Sequence, residues 1–316
     1  MEPVGLRAGR HRRVTPVPSP PTTTSPLPPA TATIGVLHPG AMGVTVAAAT
    51  RNQGHRVLWA STGRSAATVQ RAERAGLDDA GTLTELCATS DIVLSVCPPD
   101  AATTVAGEVA ASRFGGIFVD ANAISPGTMS VVADIVAARG AHVVDGGLIG
   151  PPAHQPGTTR LYLSGPRAPE VAEVFTGSAL EAVVIGDELR IASALKMCYA
   201  AYTKGAAALL LAVVALARAT AVEAPLLAEW ERSQPGLRQR AETTAAASAP
   251  KAWRWTGEMA EIAATFEQAG LPPGFHRAAE EVFERLSELT DADAVDLDAA
   301  VEALIAEQVS VRPPGA

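Results

Sequence analysis

From Ala32 onward the chain alternates short β-branched runs with alanine-rich stretches of helical length. Thr33 to Leu37, Arg56 to Ser61, Ile92 to Val96, Ile117 to Asp120 and His142 to Val144 read as strands. Between them Met42 to Gln53, Ser65 to Ala75, Ala101 to Ala111 and Pro126 to Ala138 read as helices. Strands that take turns with helices of this length imply βαβ units and a parallel sheet, because a long crossover is what returns the chain in the same direction. Arg160 to Ser164 and Ala182 to Ile185 are two further strand candidates, and then the alternation stops. Glu188 to Val222 holds one glycine and no proline, and predicts a single helix of about 35 residues and ~50 Å. It is apolar on nearly every face, which implies burial between domains or subunits. The remainder, to Gln308, reads as helices broken at Pro225, Pro235, Pro250 and Gly270-Leu271-Pro272-Pro273. The expected architecture is therefore α/β, with a doubly wound sheet over residues 33–187. A long interdomain helix and an all-α C-terminal domain follow over residues 188–316. Residues 1–32 stand apart, with Arg7, Arg10, Arg12 and Arg13 leading into a Pro/Thr/Ser-rich stretch. Such a segment buries too little apolar surface to offset its ordering entropy and reads as a disordered tail. No apolar core follows its arginines as a signal peptide would require.

Composition narrows the function classes. A chain of 316 residues suggests two folded units, and 47% hydrophobic residues exclude wholesale disorder. The net charge is −8, and no dense basic stretch lies in the folded part, which argues against nucleic acid as a partner. The greasiest run, Gly205 to Ala217, has 13 residues, short of the ~18–20 that span a bilayer, so no membrane segment is expected. Cys87, Cys97 and Cys198 are too scattered for a disulfide framework or a paired CxxC metal site, and point to the reducing cytoplasm. Cys97 and Cys198 read as small buried hydrophobes. Lys196, Lys204 and Lys251 are the only lysines, so each is weighed singly.

The first strand runs into His38-Pro39-Gly40-Ala41-Met42-Gly43 and then a helix. A dinucleotide fold needs one glycine where the backbone meets the pyrophosphate and another where helix and strand pack closely; Gly40 and Gly43 suit these roles. His38 stands where the first glycine of GxGxxG is usual, and an ordinary strand–turn–helix is the competing reading. The second strand ends in Ser61-Thr62-Gly63-Arg64-Ser65, with no acid for ribose hydroxyls. Hydroxyls and a guanidinium suit a 2′-phosphate, which favours NADP (NADPH) over NAD. Two later strand ends should face the same crevice, bringing Val96, Cys97 and Pro98 to the coenzyme. Asn122 would reach the nicotinamide ribose or else form a turn.

The His38–Gly43 turn, the segment Asp145-Gly146-Gly147-Leu148-Ile149-Gly150-Pro151-Pro152 and the stretch Ser193-Ala194-Leu195-Lys196-Met197-Cys198 resemble the β-hydroxyacid dehydrogenase superfamily. That superfamily includes 3-hydroxyisobutyrate and 6-phosphogluconate dehydrogenases and the imine reductases. The resemblance covers about residues 33–290. It implies a Rossmann-like N-terminal domain, a long interdomain helix, a helical C-terminal domain and an intertwined homodimer. It also implies an acid/base lysine on the long helix, at Lys196. Two departures remove polar groups that would hold a substrate carboxylate. Ala200 stands where the family carries Asn, and Ile149-Gly150-Pro151 where it carries Ser-Gly-Gly. Imine reductases similar to this family carry Asp or Tyr at the position of Lys196, which makes C=N reduction the alternative.

Lys196 sits among Ala, Leu and Met on a helix expected to be buried, where an amine's pKa falls and proton exchange with a substrate oxygen becomes feasible. A snorkelling or paired lysine is the competing reading. Lys204, about 80° round the helix, would bind a substrate anion or lie at a subunit edge. Tyr199, one turn from Lys196, would supply a hydroxyl or pack in the core. His154 lies in a loop near the expected substrate mouth, while Trp253, Trp255 and Glu258 would reach a partner subunit's site or simply pack. With Ile149, Gly150, Pro151, Tyr199 and Lys204 at the substrate, the expectation is NADPH-dependent hydride transfer to or from a carbonyl or alcohol carbon of a small polar, hydroxy-acid-like metabolite. A nucleotide-sensing module without turnover is the third reading.

Overall fold

The computed structural model describes residues 31–306 except 291 and 293; residues 1–30 of the expected tail lie outside them. The N-terminal part alternates as β1 (Thr33–Val36), α1 (Gly43–Arg51), β2 (Arg56–Trp59), α2 (Ala66–Arg74), β3 (Asp78–Asp79), α3 (Leu83–Thr89) and β4 (Ile92–Ser95). It continues through α4 (Ala102–Ala111), β5 (Ile117–Asp120), α5 (Pro126–Ala137), β6 (His142–Ile149), β7 (Thr159–Ser164), α6 (Ala168–Glu173) and β8 (Leu180–Gly186). The eight strands form one sheet in the order β3-β2-β1-β4-β5-β6-β7-β8. Every pair is parallel except β6–β7, whose Gly147 faces Tyr162 in an antiparallel register.

Both faces of the sheet are covered, which is why β4 and β5 are apolar or buried at every position. Side chains alternate between the two layers. Val57, Trp59, Ile92, Leu94 and Val119 enter one core, and Leu58, Val93 and Phe118 enter the other with Met129 of α5. β3, α3 and α6 were not anticipated. β3 is two exposed aspartates, whereas α3 carries a readable signal, the Thr82–Glu85 capping box. β6 runs five residues beyond the expected Val144, through Gly146 and Gly147. Glycines usually weaken a strand, but here a Cβ would stand 2.9 Å from Asp120 O at Gly146 and 2.9 Å from Ala192 O at Gly147. Close packing demands them.

The long helix is α7 (Ile191–Ala219), followed by α8 (Glu223–Ser233), α9 (Leu237–Ser248), α10 (Ala252–Gln268), α11 (Gly274–Leu286) and α12 (Leu297–Ile305). α7 packs against β6 and β7 on one side and α9–α12 on the other, and Met197, Leu211 and Val214 join Met259, Phe283 and Leu304 in a separate helical core. Pro225 does not break a helix. It sits in the first turn of α8, where its missing N–H has no intrahelical partner to lose. The break comes earlier, at Ala221 with φ 57°.

Two expectations for α7 are corrected. The whole helix is long and apolar enough to cross a membrane by length and composition, so the 13-residue argument fails; it stopped at Lys204, which lies within the helix. In this fold, however, α7 carries two lysines and packs on the sheet and on α5 and α8–α12. Nor is α7 buried all round: Leu195, Tyr199, Tyr202, Leu209 and Leu216 are exposed, and so is Cys198.

Candidate active site

The chain leaves β1 for β2 on one side and returns to β4 on the other, so the carboxyl ends of β1 and β4 flank the topological switch point where ligands of such sheets bind. The loop there closes through Gly40 N–H donating to His38 O at 2.8 Å. His38 does not need positive φ, which is why a non-glycine is tolerated at that position. Gly43 is needed: a Cβ would lie 2.1 Å from His38 O and 3.6 Å from Val96 Cβ. Gly40, by contrast, has open space around a would-be Cβ. Helix α1 has no side-chain cap at Met42 and no acid in its first turn. The amides of Ala41, Met42 and Gly43 find no backbone acceptor among the described residues. A helix start with free N–H groups and the positive end of its dipole is an anion site.

Two buried polar atoms beside this turn, His38 Nδ1 and Arg64 Nε, also lack a partner among the described residues. Burial and the neighbouring Arg64 charge lower the His38 pKa to about 4, so its ring is neutral. Arg71 Nε donates to Pro39 O at 3.2 Å and braces the turn, a contribution the sequence reading missed. Orphaned donors around an open glycine fit the phosphates of a dinucleotide.

The loop after β2 is less generous than expected. Thr62 Oγ1 donates to Gly81 O at 2.8 Å, and Ser65 Oγ caps α2 by accepting Thr68 N–H. Those hydroxyls hold the loop, which leaves Arg64 as the side chain suited to a phosphate. An acid is also present after all. Asp79, brought alongside by β3, accepts N–H groups from Ser61 at 3.3 Å and Gly81 at 2.8 Å. Its hydrogen bond with the Ser61 side chain, with help from these amides, holds its pKa below the usual carboxylate value.

Asn122 is bonded within the fold. Its Nδ2 donates to Ser95 Oγ at 3.1 Å and Asp120 Oδ2 at 2.8 Å, and its Oδ1 accepts Cys97 N–H at 2.6 Å. A buried amide so committed staples the ends of β4 and β5, with both of its N–H donors spent within the protein. Cys97 itself is a poor nucleophile, because burial pushes its thiol up to about 12. Pro98 precedes a short 3₁₀ turn at Pro99–Ala101.

The second half of the site lies on α7. β5 ends at Asp120 opposite Asp145, so Leu148 of β6 stands beyond the carboxyl end of β5, on the side of the glycine turn. Lys196 Nζ donates to Leu148 O at 2.9 Å. Burial lowers its pKa to about 8. Lys204 is paired with Glu258 of α10, its amine 5.3 Å from the centroid of the Trp255 ring. Burial pushes its pKa well down, and the Lys196 charge adds to the effect. Trp255 and Glu258 thus reach Lys204 within one chain. Their spacing of three places them on one face of α10, a signal that was legible, but no pattern told which lysine they would meet.

The remaining candidates divide. Ile149 is buried, Gly150 takes φ 130° with a Cβ position 2.4 Å from Thr158 O, and Pro151 O accepts the Thr159 hydroxyl. Together they turn the chain into a loop whose Ala153 N–H donates to Thr45 Oγ1 of α1 at 3.0 Å, close to the glycine turn. His154 in that loop is exposed. Tyr199 is 48% exposed, and among the described residues no side-chain hydrogen bond joins it to either lysine.

Residues 33–185 match the NAD binding domain of 6-phosphogluconate dehydrogenase, and residues 217–286 match a domain of unknown function, DUF1932. A comparison with curated proteins finds no match. Among solved structures the chain is similar to the conserved protein MTH1747 of unknown function, described as structurally similar to 3-hydroxyacid dehydrogenases. Identity is 26% and TM-score 0.62, covering 81% of this chain and 97% of that one. It shares its fold with a Mycobacterium tuberculosis 3-hydroxyisobutyrate dehydrogenase solved with L-serine, at 16% identity, TM-score 0.63 and coverage of 87% and 100%. The same holds for an Aspergillus terreus reductive aminase solved with NADPH4, cyclohexanone and allyl amine, at 19% identity, TM-score 0.52 and coverage of 86% and 99%. Residues 33–185 are thus an NAD binding domain of the 6-phosphogluconate dehydrogenase type, and with these neighbours the match supports placing the chain in the β-hydroxyacid dehydrogenase superfamily, among the NAD(P)-dependent dehydrogenases and reductases.

Proposed function

We propose that this protein is an NADPH-dependent oxidoreductase that interconverts a carbonyl and an alcohol on a small polar metabolite, with Lys196 as general acid and base. The observation that carries the reading is the half-buried Lys196, whose amine is held on Leu148 O beside the carboxyl ends of the strands. Bound nicotinamide supplies or accepts the hydride. The chain's own part is the proton. In reduction the Lys196 ammonium protonates the developing alkoxide; in oxidation the neutral amine takes the alcohol proton. A pKa of about 8 keeps both forms accessible near neutrality. Leu148 O engages one N–H and so orients the others. Ala41–Gly43 amides, His38 and Arg64 would hold the coenzyme's phosphates, and Arg64 is the reason for preferring NADPH, with Asp79 the nearby group that opposes a dianion.

Lys196→Ala is expected to keep NADPH affinity, read by nicotinamide fluorescence, and to lose ~10²–10⁴ in turnover. In the parent, carbonyl reduction should fall as pH rises through about 8, where the ammonium is lost, and alcohol oxidation should rise over the same range. Full turnover in the variant ends this assignment. Reduction of C=N is kept as the second reading because Glu258 neutralises Lys204, which leaves that cation unsuited to a substrate carboxylate. Turnover of cyclic imines with carbonyl acids inert would decide for it. NADPH binding without turnover on either panel would instead indicate a sensor. The exposed apolar residues of α7 support a homodimer of cytoplasmic protein, for which sedimentation at micromolar concentration is the check.

A further inference from the structure

Helix α7 has no cap of its own. Arg190 before it takes φ 82° and offers no side-chain hydrogen bond, so the first amides of the helix would be unsatisfied in a buried place. They are satisfied from the sheet. Ser193 N–H donates to Asp145 Oδ2 at 2.9 Å and Ser193 Oγ to Asp145 Oδ1 at 2.6 Å. Ser164 Oγ donates to Asp145 Oδ2 at 3.1 Å and accepts Ala192 N–H at 3.0 Å. Asp145, Ser164 and Ser193 are all fully buried. The same strand touches α7 twice more. A Cβ at Gly147 would stand 3.2 Å from Lys196 Cβ, and Leu148 O accepts the Lys196 amine. Lys196 follows Ser193 by one helical turn, so a shift of α7 along β6 that moved the amine would first break the carboxylate's bonds.

We infer that Asp145, acting through Ser193, is a positioning residue that sets where the Lys196 amine stands. A carboxylate suits the task because both oxygens accept, and charge-assisted bonds are the strong ones. An asparagine would turn an N–H toward one of the donors. The carboxyl is not itself at the reacting atoms, and the consequence for turnover rests on the acid/base reading of Lys196. The charged groups around that amine are Lys204 on its own helix, with Glu258 of α10 paired to it, and Asp145 itself; loss of the Asp145 charge alone would lower the Lys196 midpoint, so an upward move reports displacement of the amine.

The experiment is competitive amine labelling of the full chain against pH, followed by peptide mass spectrometry. With three lysines the assignment is direct, and exposed Lys251 serves as internal reference. In the parent, Lys196 should label with a midpoint near 8. In Asp145→Asn the midpoint should move up by about one unit as water reaches the amine, and kcat should fall about tenfold or more with coenzyme affinity unchanged. Ser193→Ala, which keeps the backbone bond, should move both in the same sense by less, and it carries the test if Asp145→Asn does not fold. A lowered melting temperature with the Lys196 midpoint unchanged in the folded variant would reduce Asp145 to a stabilising cap and overturn the inference. If Lys196→Ala retains full turnover, the catalytic reading falls while the labelling still decides the positioning.

Discussion

Helices α1 and α7 both start without a side chain of their own at the cap, and the molecule treats the two starts oppositely. At α1 the amides of Ala41, Met42 and Gly43 are left without backbone acceptors, beside open space at Gly40 and the orphaned His38 and Arg64 nitrogens. At α7 the amides of Ala192 and Ser193 are closed off by Ser164 and Asp145. An open set of donors is ready for an anion from outside. A closed set fixes a helix, and with it any side chain one turn further on. On the proposed function, the open start is where the coenzyme would bind and the closed one holds the lysine that would move the proton.

The comparison breaks most readily at Gly43. Gly43→Ala forces a Cβ against His38 O, with no flexible atom to give way, so α1 must move. An overpacking cost of ~1–3 kcal/mol is expected in urea unfolding, with coenzyme binding lost along with it. Unchanged NADPH affinity in this variant would show that the α1 start is not where the diphosphate binds. Next in size is Arg64→Ala, expected to weaken NADPH by about 1.5–3 kcal/mol and leave NADH alone, as removal of a charged hydrogen-bond donor should. Equal losses for both coenzymes would give Arg64 a structural part only. Ser193→Ala should cost about 1 kcal/mol of stability with NADPH affinity intact, since one buried hydrogen bond to Asp145 is lost at the closed helix start and nothing at the open one. Smallest of all, Gly40→Ala should leave stability within ~0.5 kcal/mol of the parent. Its added methyl projects into open space, so any effect on it should be seen in the coenzyme titration.

Much of this was legible along the chain. β1, β2, β4 and β5 and the helices α1, α2 and α4 follow from runs of branched residues separated by helix formers, and Gly43 and Lys196 stood out by position. What stayed hidden has a common cause. Asp79 reaches the coenzyme loop because β3 pairs with β2, although two exposed aspartates carry no strand signal. Asn122 looked free for a ligand, and Ser95 and Asp120 take both its donors while Cys97 engages its acceptor. Lys204 looked like an anion receptor, and Glu258, 54 residues on, has already neutralised it.

The amino-acid sequence by itself determined the alternation of strands and helices, the glycine turn and the presence of one amine in an apolar helix, since each depends on local spacing and side-chain type. Only the tertiary structure decided which polar groups are spent on one another and which remain for a ligand. A hydrogen bond satisfies its partners by proximity in space, and Cys97 and Ser95 for Asn122, Glu258 for Lys204 and Asp145 for Ser193 lie 25 to 54 residues away along the chain.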